Sequence, residues 1–344
     1  MERARNGQVV GTGSAKHHGA AEPAGMAARE RKPGVLSLRM ALVALVAFLN
    51  ASPARSAQDP LVVQQIAAGV FVHFGKPLAL DAPGHDDIAN IGFIVGTRCV
   101  AVIDTGGSVR VGRALRAAIR QHTPLPVCYV INTHVHVDHV LGNAAFKSDG
   151  AKFVGHERLG AQLAQSRQFF LKNYANDLDP PATADQIIAP DLSVPVGSDV
   201  DLDLGGRHLQ LRAWPKAHTD SDLTVYDEVS GTLWTGDLLF VRRTPVIDGS
   251  IKGWLAAMEV LAAMPAKHVI PGHGNASNDL AAALKPQRQY LQALLEEVRA
   301  EIAAGKPLQQ AMKEVNPPGQ ADWLLWNETH PRNVARVYQE LEWE

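Results

Sequence analysis

The chain has 344 residues, 46% of them apolar, with 33 basic and 35 acidic side chains and a formal net charge of −2. That length supports one large or two small globular domains with a proper core. The balance of charge excludes a polyelectrolyte surface, so nucleic acid is not an expected partner.

Residues 1–57 read as separate from the fold. Arg29, Arg31, Lys32 and Arg39 lead into an apolar run, Met40–Leu49, and small residues follow up to Ala57. This order is that of a secretory signal peptide, and the run is short for a permanent membrane anchor. Cleavage fits after Ala54 or Ala57, and Met26 is a candidate start. The expected location is therefore periplasmic or secreted, with an uncleaved anchor as the alternative.

Beyond residue 60, "GVFVHFG" (69–75) and "NIGFIVG" (90–96) are short β-rich runs closed by glycine. "CVAVIDTGG" (99–107) is nearly continuous in apolar side chains, as a strand buried on both faces requires. Val111, Leu115 and Ile119 recur at helical spacing within 108–121. "LPVCYVIN" (125–132) and "AKFVGH" (151–156) predict two further strands. Cys99 and Cys128 both fall in these core strands and lack the spacing of a metal site; they are expected as buried thiols. Residues 157–195 read as a partly helical, mobile insert.

The second half repeats the pattern. Strands are predicted at "HLQLRAW" (208–214), "DLTVYD" (222–227) and "GTLWTGD" (231–237). A helix with Ile251, Leu255, Met258 and Leu261 on one face follows, then the strand "KHVIPGHG" (267–274). A long amphipathic helix runs from Asp279 to Ala304. Pro331 is expected to open a last helix with Val334, Val337, Tyr338 and Leu341 inward. Two βα halves packed sheet against sheet, helices outside, account for this order. The expected organisation is an extension and signal over 1–57, one α/β domain over 58–305, and a C-terminal helical extension, 306–344, packed on it.

"INTHVHVDHVLGN" (131–143) holds the chemistry. Three of the chain's 14 histidines and an aspartate crowd six positions there, and they would repel on protonation unless a metal held them. A loop-like backbone past the strand aims His134 and His136 at one point, Asp138 and His139 at a neighbouring one, which implies two metals. Further ligands are available at strand ends: His218, Asp237 and His273. The isolated His73, His85, His122, His156, His208, His268 and His330 are expected in ordinary core or surface roles.

"THVHVDH" resembles the HxHxDH signature of the metallo-β-lactamase superfamily, and Asp104 in "VIDTG", His218 in "AHTDSDLTVY", Asp237 in "WTGDLLF" and His273 in "PGHG" match its other positions in order. The resemblance implies a four-layer αββα sandwich with two zinc ions (iron or manganese as alternatives) at one edge. It assigns His134, His136 and His218 to one ion, Asp138, His139 and His273 to the other, Asp237 as the bridge, and Asp104 as the orienter of the ligand loop. "TPVIDGSIKGWLAAMEVL", "VIPGHG" and "ELEWE" look like the quinoprotein relay system zinc metallohydrolases, a branch compared with sulfur-oxidation-associated hydrolases. That branch implies export and a periplasmic quinoprotein dehydrogenase system as partner. One departure stands out: Ala217-His218-Thr219-Asp220-Ser221 replaces the Gly-His-Thr-Pro-Gly of many superfamily hydrolases.

The implied reaction is attack of a metal-activated hydroxide, oriented by Asp138, on the carbonyl of an ester, thioester, lactone or lactam. Rim candidates are Phe169, Phe170 and Tyr174 in the 165–180 stretch, and Arg242 and Arg243, which suit an anionic substrate. The rival readings are a mononuclear-iron persulfide dioxygenase and a non-catalytic accessory protein that binds a quinone or a partner. Oligomeric state has no signature in the sequence.

Overall fold

Period-two alternation gives the early strands two buried faces, and each face has its own core. In the computed structural model, which describes residues 59–344, the first strands are β1 (Gln64–Ala67), β2 (Val70–His73), β3 (Ile91–Val95) and β4 (Val100–Ile103). Val100 and Val102 join one hydrophobic cluster, Ala101 and Ile103 another. Two-sided burial is why this run is apolar throughout. The expected signal segment and N-terminal extension lie outside the described residues.

Helix α1 (Val109–His122) follows β4, started by Ser108, whose hydroxyl accepts a hydrogen bond from the Val111 N–H at 3.1 Å. Then come β5 (Val127–Ile131), the single turn α2 (Val137–Val140), β6 (Lys152–His156), α3 (Leu159–Asn173) and β7 (Leu192–Val194). These seven strands form one sheet in sequence order, antiparallel from β1 to β4 and parallel from β4 to β7.

The second sheet has the order β12-β11-β10-β9-β8, built from β8 (Val200–Asp203), β9 (His208–Ala213), β10 (Leu223–Asp227), β11 (Thr232–Phe240) and β12 (His268–His273). Helix α4 (Ile251–Leu261) connects β11 to β12, which pair in parallel. Helices α5 (Leu280–Ala303), α6 (Leu308–Glu314) and α7 (Trp326–Leu341) follow. Residues of both sheets, including Ile94, Ile103, Ile131, Leu211, Val225 and Ile270, share the central core. α1 and α3 cover the outer face of the first sheet; α4, α5 and α7 cover that of the second. The result is an αββα sandwich.

Three expectations are corrected. Cys99 and Cys128 form a disulfide, Cα atoms 5.7 Å apart, instead of remaining thiols. The β4–β5 ladder slips between Val100 and Ala101, so Val127 and Tyr129 are consecutive partners and Cys128 falls at the irregularity. Both cysteines then face the central core, within bonding reach. Residues 157–195 are partly helical, as expected, but are more than an insert between the halves: besides α3 they supply β7, paired with β6, and the Arg113–Asp179 ion pair ties them to α1. Pro331 does not open the last helix, which starts at Trp326. The carbonyl Pro331 leaves without an i+4 donor belongs to Asn327, an exposed residue, so the lost bond does not strand a buried acceptor.

Candidate metal centre

The parallel strands bring their C-terminal ends to one edge, where ligands are bound in open α/β sheets. β5 delivers the histidine cluster there. His136 is extended (φ −65°, ψ 148°), and residues 137–140 then coil into α2. The change of backbone is what splits the motif: His134 and His136 project from extended chain, Asp138 and His139 from the helical turn. A buried amide pair locks this loop, Asn143 Nδ2 donating to Asn132 Oδ1 at 2.7 Å and Asn132 Nδ2 to Asn143 Oδ1 at 3.1 Å. The Thr105 N–H donates to the His139 carbonyl at 2.9 Å.

Seven side chains converge as two donor sets, His134/His136/His218/Asp237 and Asp138/His139/His273. Donors bound tetrahedrally about 2.0–2.1 Å from a zinc ion are about 3.3 Å from one another. In the first set His136 Nδ1 lies 3.0 Å from His134 Nε2 and 3.1 Å from His218 Nε2. Asp237 Oδ2 lies 3.4 Å from His218 Nε2 and 3.7 Å from His134 Nε2. In the second set Asp138 Oδ2 lies 3.3 Å from His273 Nε2 and 3.7 Å from His139 Nε2. Asp237 reaches this set too, with Oδ1 3.3 Å from His139 Nε2 and Oδ2 3.3 Å from His273 Nε2. His139 Nε2 and Asp237 Oδ1 are buried without a hydrogen-bond partner. Such atoms are costly unless something completes them. The donor set fits a pair of divalent cations.

Every imidazole is fixed through its other nitrogen, as metal-binding histidines require. His139 Nδ1 donates to Asp104 Oδ2 at 2.8 Å, His218 Nδ1 to the Val246 carbonyl at 2.7 Å and His273 Nδ1 to the Ile88 carbonyl at 2.8 Å. His136 presents Nδ1 inward because its Nε2 donates to Asp248 Oδ2 at 2.7 Å. His134 Nδ1 donates to Thr133 Oγ1 at 3.1 Å, and that hydroxyl donates to Asp104 Oδ2 at 2.7 Å. Asp104 also accepts the Thr133 N–H at 2.8 Å. It does so from a left-handed backbone, φ 54°, a strained conformation for a residue with a Cβ.

The charges complement one another. Burial depresses His134 well below the ordinary imidazole range and takes His218 down to about 4. Burial would lower His139 as well, but Asp237, Asp138 and Asp104 hold it well above. Burial opposes ionisation of Asp237, yet His273, His139 and His134 keep its carboxyl well below the usual range. Burial would likewise lower His136 and His273, but Asp248 and Asp237 respectively hold them above the ordinary range, so the carboxylates favour protons on His136, His139 and His273 that metal binding would displace.

A sequence model of the metallo-beta-lactamase superfamily matches residues 84–273. The chain belongs to this superfamily. Solved superfamily-like structures agree in fold. A metallo-beta-lactamase from Pontibacter korlensis is 22% identical over 67% of this chain and 99% of its own, with a TM-score of 0.54. TMB-1 is 20% identical over 68% of this chain and 97% of its own, at 0.53. The inverting sec-alkylsulfatase Pisa1 from Pseudomonas sp. is 18% identical over 82% of this chain, at 0.60, and the match spans half of the sulfatase.

Not every rim candidate of this superfamily member reaches the site. Phe170 is only 4% exposed and belongs to the core with Leu159 and Leu163. Phe169 is 56% exposed beside it. Tyr174 is partly buried; burial, then the charges of Asp138 and Asp177, push its hydroxyl up, which puts it within electrostatic reach of the donors. Arg242 and Arg243 line a cavity against His273. The isolated histidines stay outside both donor sets, several with a structural partner, such as Asp87 for His73 and the Trp214 carbonyl for His156.

Sequence reasoning missed Asp248, Thr133, Asn90 and Asp222. Asn90 Nδ2 donates to the Pro271 carbonyl at 2.8 Å and to that of Gly274 at 2.7 Å, bracketing His273. Asp222 holds the turn after His218, accepting the Thr219 hydroxyl at 2.6 Å and its N–H at 2.9 Å.

Proposed function

We propose that the chain is a binuclear metallohydrolase, zinc being the expected metal, that cleaves a small carbonyl compound: an ester, thioester, lactone or lactam. The carrying observation is that the Asp237 carboxylate faces both donor sets at 3.3–3.4 Å. Divalent ions held by His134, His136 and His218, by Asp138, His139 and His273, and by Asp237 between them would supply Lewis-acid activation of a water and of the carbonyl. Asp138 turns Oδ2 to His273 and His139. Its Oδ1 is left to accept a hydrogen bond from the attacking water and hold it in line. Asp104 and Thr133 keep His139 and His134 in register while charge develops.

Export is part of the proposal. The Cys99–Cys128 disulfide suits an oxidising compartment, and the 29–57 stretch has the order of a signal peptide. Among the described residues no helix is long and apolar enough to cross a membrane. A role beside a periplasmic quinoprotein dehydrogenase rests on the resemblance of residues 244–261 and 340–344. Those two segments meet: Glu340 accepts from Ser250 Oγ at 2.6 Å and from the Ile251 N–H at 2.9 Å.

The test is a panel of ester, thioester, lactam and sulfate-ester substrates, with and without chelator, alongside elemental analysis. Turnover of a carbonyl substrate that chelator abolishes and zinc restores, with two ions per chain, is expected. One iron per chain with persulfide oxidation would establish the rival chemistry instead.

A further inference from the structure

Residues 241–250 join β11 to α4 without a strand or helix of their own, yet they orient two imidazoles of the first donor set, His136 and His218. The Val246 carbonyl takes the His218 Nδ1–H at 2.7 Å, and Asp248 Oδ2 takes the His136 Nε2–H, also at 2.7 Å. On the same side the Asp248 and Gly249 N–H groups donate to the His218 carbonyl at 3.0 and 2.6 Å, and the Ser250 N–H to the Ala217 carbonyl at 2.8 Å. A loop outside any ladder keeps its shape only through such bonds. The second donor set is oriented from elsewhere, by Asp104 at His139 and by the Ile88 carbonyl at His273.

The opposite side of the loop is held by C-terminal residues that lie outside the matched region 84–273. Thr244 donates through its N–H and hydroxyl to the Leu324 carbonyl at 3.0 and 2.8 Å, and Arg336 Nη2 donates to the Gly249 carbonyl at 2.7 Å. Asn333 of α7 makes the central contact. Its Oδ1 accepts the Ile247 N–H at 3.0 Å and its Nδ2 donates to the Pro245 carbonyl at 2.6 Å, so the amide brackets Val246. The Ile247 N–H and the Val246 carbonyl belong to one planar peptide group. One edge of that plane therefore meets Asn333 and the other meets His218. Hydrogen bonds at the two ends of a buried peptide polarise each other.

Asn333 is 1% exposed, and its other amide hydrogen goes to the Tyr290 hydroxyl oxygen at 2.9 Å. That hydroxyl in turn donates to His330 Nδ1 at 3.1 Å, and His330 Nε2 donates to the Val315 carbonyl at 3.0 Å. Burial lowers the His330 ring below its ordinary value, which keeps it in the neutral form that can accept. The buried face of α7 thus carries two polar side chains, His330 and Asn333, among Trp326, Val334, Val337 and Leu341. Packing alone calls for apolar residues there, and asparagine is a weak helix former. The loop it holds explains the amide.

We propose that Asn333 is a positioning residue of the metal centre. From the C-terminal helix it fixes the Val246–Ile247 peptide, and with that loop the His218 ring and the Asp248 contact to His136, so that α7 sets how tightly the first donor set holds its ion. This rests on the reading of the donors as a metal centre; the second set, oriented independently, supplies the internal control.

The full-length protein is stripped with chelator and titrated with Zn²⁺ against a chelating dye, as wild type and as the variants Asn333→Leu, Arg336→Met and Val337→Ala. Asn333→Leu keeps the volume and removes every bond to the loop. It should weaken one of the two zinc constants about tenfold, the lower end of the range for partners that orient a ligand, and leave the other unchanged. Arg336→Met, a milder change at a half-buried position, should weaken the same constant and keeps the test decisive if Asn333→Leu folds poorly. Val337→Ala opens a cavity on the same helix without removing a hydrogen bond to the loop; it should lower Tm and leave both constants as they were. With Co²⁺ as the probe ion, ring N–H protons of bound histidines give paramagnetically shifted NMR signals. Those of His136 and His218 should move and exchange faster with solvent in Asn333→Leu, while those of His134, His139 and His273 hold. A wild type that takes up no zinc overturns the metal-centre reading and this assignment with it. Two ions on the wild type, with both loop variants like Val337→Ala or with both constants falling together, overturns the role of Asn333 and leaves the metal centre standing.

Discussion

Gly272 has no Cβ, and one built there would stand 1.8 Å from Asp237 Oδ1. The carboxylate shared by both donor sets thus occupies space that any other residue at 272 would claim. Gly236 makes a similar allowance for Thr133, at φ 51° and with 2.6 Å to its Cβ. Gly272→Ala should therefore displace Asp237, both at its carboxylate and through the β11 backbone at Gly236 C and Asp237 N, 2.8 and 2.9 Å from the built Cβ. The expected outcome is loss of bound metal by elemental analysis and a fall in activity of about 100-fold, the scale of a misplacement near 1 Å. Asp248→Ala removes the acceptor that turns His136 Nδ1 inward; metal affinity should drop about 10- to 100-fold in a competition titration with a chelating dye. The donors themselves were legible because four lie within "HVHVDH" and the others end strand-like runs. Asp248 and Asn90 were not, because their partners are distant in the chain and no local pattern marks an outer contact.

Among the elements, strands β2, β3, β4, β5, β6, β9, β10, β11 and β12 follow from alternation or from short apolar runs closed by turns. The failures occur where pairing, not composition, decides. Nothing in "PVCYVIN" announces the slip that swings Cys128 toward Cys99. β7 is a three-residue edge strand, ordered by its neighbour β6 and too short to carry a period. The disulfide closes a loop with a sequence separation of 29. Replacing both cysteines by alanine should cost about 3–4 kcal/mol in urea unfolding through the freed chain entropy. The N-cap of α1 gives a smaller effect: Ser108→Ala should cost about 1 kcal/mol, with added loss because the Ser108 hydroxyl also donates to Asp86 at 2.7 Å.

For the whole molecule, Arg207 is one of the polar links between the two sheets. It donates from Nε and Nη2 to Asp227 at 2.9 and 2.6 Å, and from Nη1 to the Val95 carbonyl of β3 at 2.9 Å. Burial works against ionisation of Asp227, but Arg207 and Ser230 hold its carboxyl below the usual range. A depressed folded-state value contributes stability above the unfolded pKa of about 3.9, and that contribution is lost as pH falls through the folded value. Asp227→Asn should cost about 3 kcal/mol at pH 7, and its Tm deficit should shrink as pH is lowered from 6 toward 3. The αββα layering was legible from the order of elements, since two sets of strands with helices after them can bury their faces in few ways. The inter-sheet Arg207 contact was not, because an arginine in a glycine-flanked turn reads as solvated. The spread of the donors along the chain, from His134 to His273 at the end of β12, has a consequence for biogenesis. The His134/His136/His218/Asp237 set can assemble once β11 is in place, whereas the Asp138/His139/His273 set cannot close on a partly made or threaded polypeptide until β12 has docked. The two sets would therefore fill in order, the second only as the fold completes.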